Sequence, residues 1–211
     1  MEVWLALLIG FVSIVIGGVL TWIIGRAIGK IQQIELLRKL RDAVIEREHV
    51  SLNEEFLMTQ LLAEKIQEAD FKPDVIFAVC PGGAMIAEWL SRRFLGNRLA
   101  PIPVQLAFMT PQQKKENDVS GTHIRIDEKW AAIPPGLSKN SKVLVVNDLT
   151  RTGHTSDRAL DFLTGPSQVP TQNIRFATLI CHQQVPVDAR PTYCVAVTEK
   201  LIRFDWKTYD E

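Results

Sequence analysis

The sequence predicts an α/β domain with a mainly parallel sheet flanked by helices, preceded by one transmembrane helix and a helical stalk. Three observations carry this. An uncharged apolar run fills Val3 to Gly25, an amphipathic three- and four-residue periodicity follows it, and from Pro73 onward short apolar runs of strand length alternate with helical patterns. The 211 residues suffice for one ordinary domain plus an appendage, and 24 Lys+Arg against 24 Asp+Glu leave no electrostatic case for a nucleic-acid partner.

The first run, "VWLALLIGFVSIVIGGVLTWIIG", is long enough to cross a hydrocarbon core at about 1.5 Å per residue. Trp4 and Trp22 stand near its ends, where amphipathic rings favour headgroups. A secretory signal fits less well, because the run is too long, lacks preceding Lys or Arg, and has no small-residue cleavage site after it. Arg26, Lys30, Arg38, Lys39 and Arg41 follow the run while only Glu2 precedes it. The positive-inside bias therefore predicts a single-pass inner- or plasma-membrane protein, N-terminus outside and the rest cytosolic. Expected boundaries are 1–25 for the membrane helix, 26–50 for the stalk and 51–211 for the soluble domain.

Ile31, Ile34, Leu37, Leu40, Val44 and Ile45 recur among charges and predict an amphipathic helix from Ile31 to about Val50. Two heptads leave self-association into a homo-oligomer and packing on the domain both open. "SLNE", Ser51 to Glu54, has capping-box spacing and starts a helix expected to reach about Glu68. After Pro73, "DVIFAVC" reads as a buried parallel strand. "PGG" then turns the chain into the helical "AMIAEWLSRRF". The same logic recurs at "KVLVVND" and "LTRTGHTSDRALDFL", and further strands are expected at Val104–Phe108, His123–Ile126, Ile174–Cys181, Tyr193–Val197 and Leu201–Phe204. In such a sheet, ligands sit beyond the carboxyl ends of the strands, where both glycine-bearing turns fall. Cys80, Cys181 and Cys194 lie in apolar runs without metal-ligand spacing, which suggests small hydrophobes in a reducing compartment.

Thr152, Gly153, Thr155 and Ser156 occupy a strand-to-helix turn whose backbone N–H groups, hydroxyls and positive helix end suit a phosphate. Asp148, at the end of the preceding strand, can accept hydrogen bonds from sugar hydroxyls. The plain alternative is that the Thr and Ser side chains cap the helix and Asp148 serves local N–H groups.

"VLVVNDLTRTGHT" resembles the phosphoribosyl-pyrophosphate signature of the type I phosphoribosyltransferase family. Upstream, "PDVIFAVCPGGAMIAEWLSRRF" looks like the family's pyrophosphate loop and its helix. Downstream, "PTYCVAVTEKLIRFDWK" is similar to the tail of the xanthine/hypoxanthine/guanine branch. The three segments stand in the family's order and span Ser51 to Lys207.

The resemblance implies that Asp148, with Asn147 beside it, serves the ribose hydroxyls. Arg151, Thr152, Gly153, His154 and Thr155 would wrap the 5′-phosphate, and Pro81, Gly82 and Gly83 would form the pyrophosphate loop. Mg2+ would accompany the pyrophosphate, with Asp148 touching it at most indirectly. "TPQQKKENDVSG", Thr110 to Gly121, would be a hood carrying Lys114 and Lys115. The base would lie near His182, Leu201 and Ile202.

The chain departs from the family pattern at five of these positions: Asn147 replaces an acid, and Arg151 stands where the purine branch commonly has an aspartate. Pro81 replaces a cation and Leu201 an aromatic, and His182 falls near the position of a lysine that reads the base. Arginine cannot act as a general base. Among the other residues, His49 and His123 read as surface histidines and Trp89 as core. Phe204 and Trp206 read as sheet packing, Arg92 and Arg93 as a solvated helix end, and Glu199–Lys200 as a turn.

The function expected from the resemblance is a membrane-anchored protein that binds phosphoribosyl pyrophosphate or a nucleotide. If active, it is a transferase moving the phosphoribosyl group to a purine-like base with release of pyrophosphate. The departures also suit a catalytically impaired phosphoribosyl or nucleotide sensor, or a membrane effector in a signalling or defence complex.

Overall fold

The computed structural model describes residues 32, 35–36, 38–96, 99–111, 124–126, 137–165 and 168–206. The chain parts into two compact units, Met1–Leu40 and Arg41–Glu211, and the second holds the sheet and its helices. The apolar run 3–25 lies outside the described residues. Among the described residues, no helix is long and apolar enough to cross a membrane.

Helix α1, helical over residues 38–47, stops earlier than its apolar periodicity predicts. Glu48 takes a left-handed backbone, φ 60°, and His49–Val50 form strand β1. Val50 lies off the stripe of Ile31, Ile34, Leu37, Leu40, Val44 and Ile45, and it is buried through a strand pairing with residues far along the chain, which no local pattern reports. Helix α2 (Leu52–Glu68) begins on the predicted capping box. The Glu54 amide donates to Ser51 Oγ at 3.4 Å, and the Ser51 amide donates to Glu54 Oε2 at 2.9 Å.

Strand β2 (Val75–Cys80), buried at every position, leads to α3 (Gly82–Trp89), which continues as a π turn through Leu90–Phe94. Gly82 and Gly83 thus form the first turn of α3 rather than a separate turn ahead of it. Then come β3 (Val104–Pro111), β4 (Ile124–Ile126), β5 (Val143–Thr150), α4 (His154–Thr164), β6 (Ile174–His182), β7 (Tyr193–Thr198) and β8 (Arg203–Phe204). Each strand expected from the sequence is present, with ends shifted by a few residues.

The six-stranded sheet has the order β4-β3-β2-β5-β6-β7 and is parallel except for β4, which runs antiparallel to β3. Of the expected hood, Thr110 and Pro111 close β3, while 112–121, with Lys114 and Lys115, lie outside the described residues.

Phe77, Val79, Val143 and Val145 face one side of the sheet and pack with Ala159 and Leu163 of α4. Ile76, Ala78, Leu144 and Val146 alternate with them and point to the other side. Helix α3 packs on β2 and β5, and α2 on β6 and β7. Phe56 of α2 meets Trp89 edge-on at 5.1 Å and Phe94 at 5.3 Å, which leaves Trp89 half-buried in a peripheral aromatic cluster rather than in the core. All three cysteines are free.

From β2 the chain steps outward to β3 on one side and returns to β5 on the other. The strand order therefore reverses between β2 and β5, and their carboxyl ends flank the crevice where such sheets bind ligands.

Candidate functional site

The glycine start of α3 and the glycine loop after β5 both lie at this crevice. The Cys80–Pro81 peptide is cis, and Pro81, exposed, precedes the first turn of α3 without any side-chain cap. A Cβ on Gly82 would overlap the Asp148 carboxyl group, and one on Gly83 would overlap the Val146 carbonyl oxygen. The start of α3 is thus pressed against the end of β5 at a separation only glycine permits. Cys80, just before the loop, is a buried thiol whose pKa burial pushes up, so it stays protonated there.

At the end of β5, Asp148 is 2% exposed, and its Oδ1 accepts the Leu149 amide at 2.8 Å. Asn147 folds on its own backbone, with Nδ2 donating to the Leu149 carbonyl at 2.9 Å and Oδ1 accepting the Asp148 amide at 3.0 Å. Asn147 therefore shapes the strand end, and Asp148 is the acid of the pair.

The loop after β5 keeps its helix end open. Gly153 has φ 89°, the left-handed region that favours glycine, and precedes α4 with no side-chain cap. The plain alternative holds in part: neither Thr152 nor Ser156 caps the helix, whereas Asp148 does serve a local N–H, that of Leu149. The first N–H groups of α4, which have no partner within the helix, stand beside exposed Arg151, Thr152 and His154 and half-buried Thr155. Behind the loop, a Cβ on Gly153 would sit 2.9 Å from Ala189 Cβ, so the turn after β6 buttresses it. Arg190 fixes that turn, donating from Nε to the Val185 carbonyl and from Nη2 to the Gln183 carbonyl, each at 3.2 Å.

The three residues expected to serve a base are disposed differently from one another. His182 Nδ1 accepts the Gln184 amide at 3.3 Å, which assigns the proton to Nε2, donating to the Glu199 carbonyl at 2.8 Å. Leu201 is 56% exposed, whereas the side chain of Ile202 is buried. Phe204 is buried as well, and Trp206 donates from Nε1 to Glu55 Oε2 at 3.0 Å.

His49, read from the sequence as a surface histidine, pairs with Asp205 Oδ1 at 2.8 Å. That partner, the Ala189 buttress and the Gly82 contact had no signal in local spacing, since each joins segments distant in sequence.

Among the described residues, no group of three or more His, Cys, Asp or Glu is placed to hold a metal. A lone carboxylate, Asp148, fits a Mg2+ ion that arrives on a diphosphate and takes few ligands from protein; it does not fit a protein-built cage.

The chain is similar to several solved structures. Against the purine phosphoribosyltransferase of Pyrococcus horikoshii it is 27% identical, covering 77% of this chain and 96% of that one, TM-score 0.59. A hypothetical protein of Neisseria gonorrhoeae with bound ppGpp shares the fold at 20% identity, covering 76% and 89%, TM-score 0.61. The xanthine-guanine-hypoxanthine phosphoribosyltransferase of Helicobacter pylori does so at 16% identity, covering 75% and 91%, TM-score 0.55. No curated protein matches significantly. Residues 50–209 match the family model described as the phosphoribosyl transferase domain, and with the reversal of strand order, the glycine start of α3 and the open N-terminus of α4 in place, the chain belongs to that family.

Proposed function

We propose that this protein binds phosphoribosyl pyrophosphate at the β2/β5 crevice and transfers the phosphoribosyl group to a purine-like base, releasing pyrophosphate. The observation that carries this reading is the uncapped start of α4 behind left-handed Gly153, directly after the strand whose Asp148 touches Gly82. The N–H groups of 154–156 hold the 5′-phosphate, with Arg151 and His154 at its rim. Asp148 accepts from the ribose hydroxyls. The start of α3 at Gly82 and Gly83 receives the diphosphate. Mg2+, carried by the diphosphate, supplies charge neutralisation on the leaving group when bound.

In the transfer, an unprotonated ring nitrogen of the base gives its in-plane lone pair to the anomeric carbon, the carbon–oxygen bond breaks toward pyrophosphate, and the proton on the ring's other nitrogen passes to water. Arg151 cannot take that proton, and the His182 ring already has both nitrogens engaged. Rate enhancement then rests on positioning and on stabilising charge around the sugar rather than on a general base. We further propose that residues 3–25 tether the chain to the membrane and leave 51–211 in the cytosol, a reading supported by the uncharged apolar run and the cations that follow it.

The test uses the full chain in detergent micelles with Mg2+ and phosphoribosyl pyrophosphate, measuring pyrophosphate release against a panel of purine bases. Base-dependent release supports the transferase reading, and its absence with every base removes it. Asp148→Asn should raise KM for phosphoribosyl pyrophosphate by about tenfold, equivalent to ~1.4 kcal/mol of lost contact. Recovery of the wild-type chain in the soluble fraction, without detergent, would remove the tether.

A further inference from the structure

The segment that leads the chain into α2 is bonded to the tail that carries Leu201. Lys200 Nζ donates to the Glu46 carbonyl at 3.0 Å and pairs with Glu48 Oε1 at 3.3 Å. Its amide donates to Thr198 Oγ1 at 3.1 Å, and the preceding carbonyl, of Glu199, accepts from His182 Nε2. Just beyond, β1 and β8 pair in parallel, with Arg203 N donating to the Glu48 carbonyl at 3.0 Å and Asp205 N to the Val50 carbonyl at 3.1 Å. Between these anchors, buried Ile202 and Phe204 point inward and Leu201 stands out into solvent.

We propose that Lys200 is a positioning residue for the base. By gripping Glu46 and Glu48 it fixes the height and direction of the Glu199–Ile202 turn opposite His182, and so sets where Leu201 and the backbone of Ile202 meet the base edge. The inference rests on the phosphoribosyl reading of the site, and it gives residues 46–50 a part in recognition.

Two features make this a matter of geometry rather than of folding. The ion pair is about half exposed on both sides, and such pairs add little to stability. The carbonyl bond and the ion pair nevertheless converge on a single ammonium, which holds a short turn in one orientation. A hydrogen bond made at about 2.9 Å is largely lost when one partner moves by about 1 Å, so the orientation of the turn decides whether its backbone reads the base edge.

The experiment titrates the full chain in micelles with ribose 5-phosphate, which probes the phosphate loop alone, and with a purine nucleoside 5′-monophosphate, which also probes the base side. Lys200→Ala should weaken the nucleotide by about five- to tenfold and leave ribose 5-phosphate within about twofold, with Lys200→Arg recovering most of the loss. Glu48→Gln should reproduce part of the effect, and the double variant should be less than additive because both changes break one contact. Equal weakening of both ligands by Lys200→Ala, or no weakening of either, overturns the inference while the phosphate site stands. A wild-type chain that binds no ribose 5-phosphate overturns the phosphate reading, and the inference falls with it.

Discussion

Gly82 lies so close to Asp148 that a methyl group on its Cα would overlap the carboxyl group. The contact joins two motifs far apart in sequence, and it places the dipole-positive start of α3 beside the acid at the end of β5. Gly82→Ala must therefore push the Asp148 side chain aside, which a side chain can do. The expected outcome is an overpacking cost of ~1–3 kcal/mol with the fold kept, and about a tenfold loss of kcat/KM for phosphoribosyl pyrophosphate. Gly83→Ala instead meets the main chain of Val146, which cannot rotate away, so its loss of stability should be the larger of the two. Thermal melts with steady-state kinetics on both variants check this pair.

Gly153→Ala places a side chain at φ 89° and against Ala189. The left-handed backbone alone should cost ~1–2 kcal/mol. Because relaxation would turn the first amides of α4 away, ribose 5-phosphate should bind more weakly. Gly153→Asn, which tolerates this conformation better but brings the same Cβ against Ala189, should relieve the backbone part of the cost and keep the packing part. Calorimetry and melts on the two variants give the comparison.

The capping box predicts an acid-side loss of stability. Burial acts to raise the Glu54 pKa, but the Ser51 amide, the Arg47 guanidinium and the Ser51 hydroxyl together bring it below the ordinary 4.5. A carboxyl group whose folded pKa is depressed stabilises the fold above its unfolded value and loses that contribution as pH falls through the folded one. Glu54→Gln should therefore destabilise the protein at pH 7 and differ little from wild type once pH has fallen well below 4.5, in urea unfolding at the two pH values. Ser51→Ala should cost about 1 kcal/mol.

The cysteines should be slow to react. Burial raises the pKa of Cys80 and of Cys181, and it pushes Cys194 up to about 12, so thiolate is scarce at neutral pH. Iodoacetamide at pH 8 should label the native chain far more slowly than the urea-unfolded one, as read by intact mass. Rapid native labelling of Cys194 would show that β7 opens readily.

Much of the fold was legible because the elements announce themselves locally. The apolar runs of β2 and β5, the "SLNE" cap and the glycine turn ahead of α4 each depend on neighbours within a few residues, and the structure has them where expected, whereas Gly82 and Gly83 fall inside the first turn of α3. The start of β1 was not legible. Its pairing, Val50 with Phe204 of β8, joins segments distant in sequence. The phosphate loop was legible in composition, but whether Thr152 and Ser156 cap α4 was not, because both outcomes use the same residues.

What the sequence alone determined is the order of strands and helices, the acid at Asp148, the glycines at 82, 83 and 153, and the kinship they imply. Tertiary structure decided which of these meet. It set Gly82 on Asp148, closed Asn147 on its own backbone, buttressed Gly153 with Ala189, and joined Lys200 to Glu46 and Glu48. The physical reason is range: propensity and periodicity act over one or two turns of chain, whereas these contacts exist only once a parallel sheet has brought its distant carboxyl ends together.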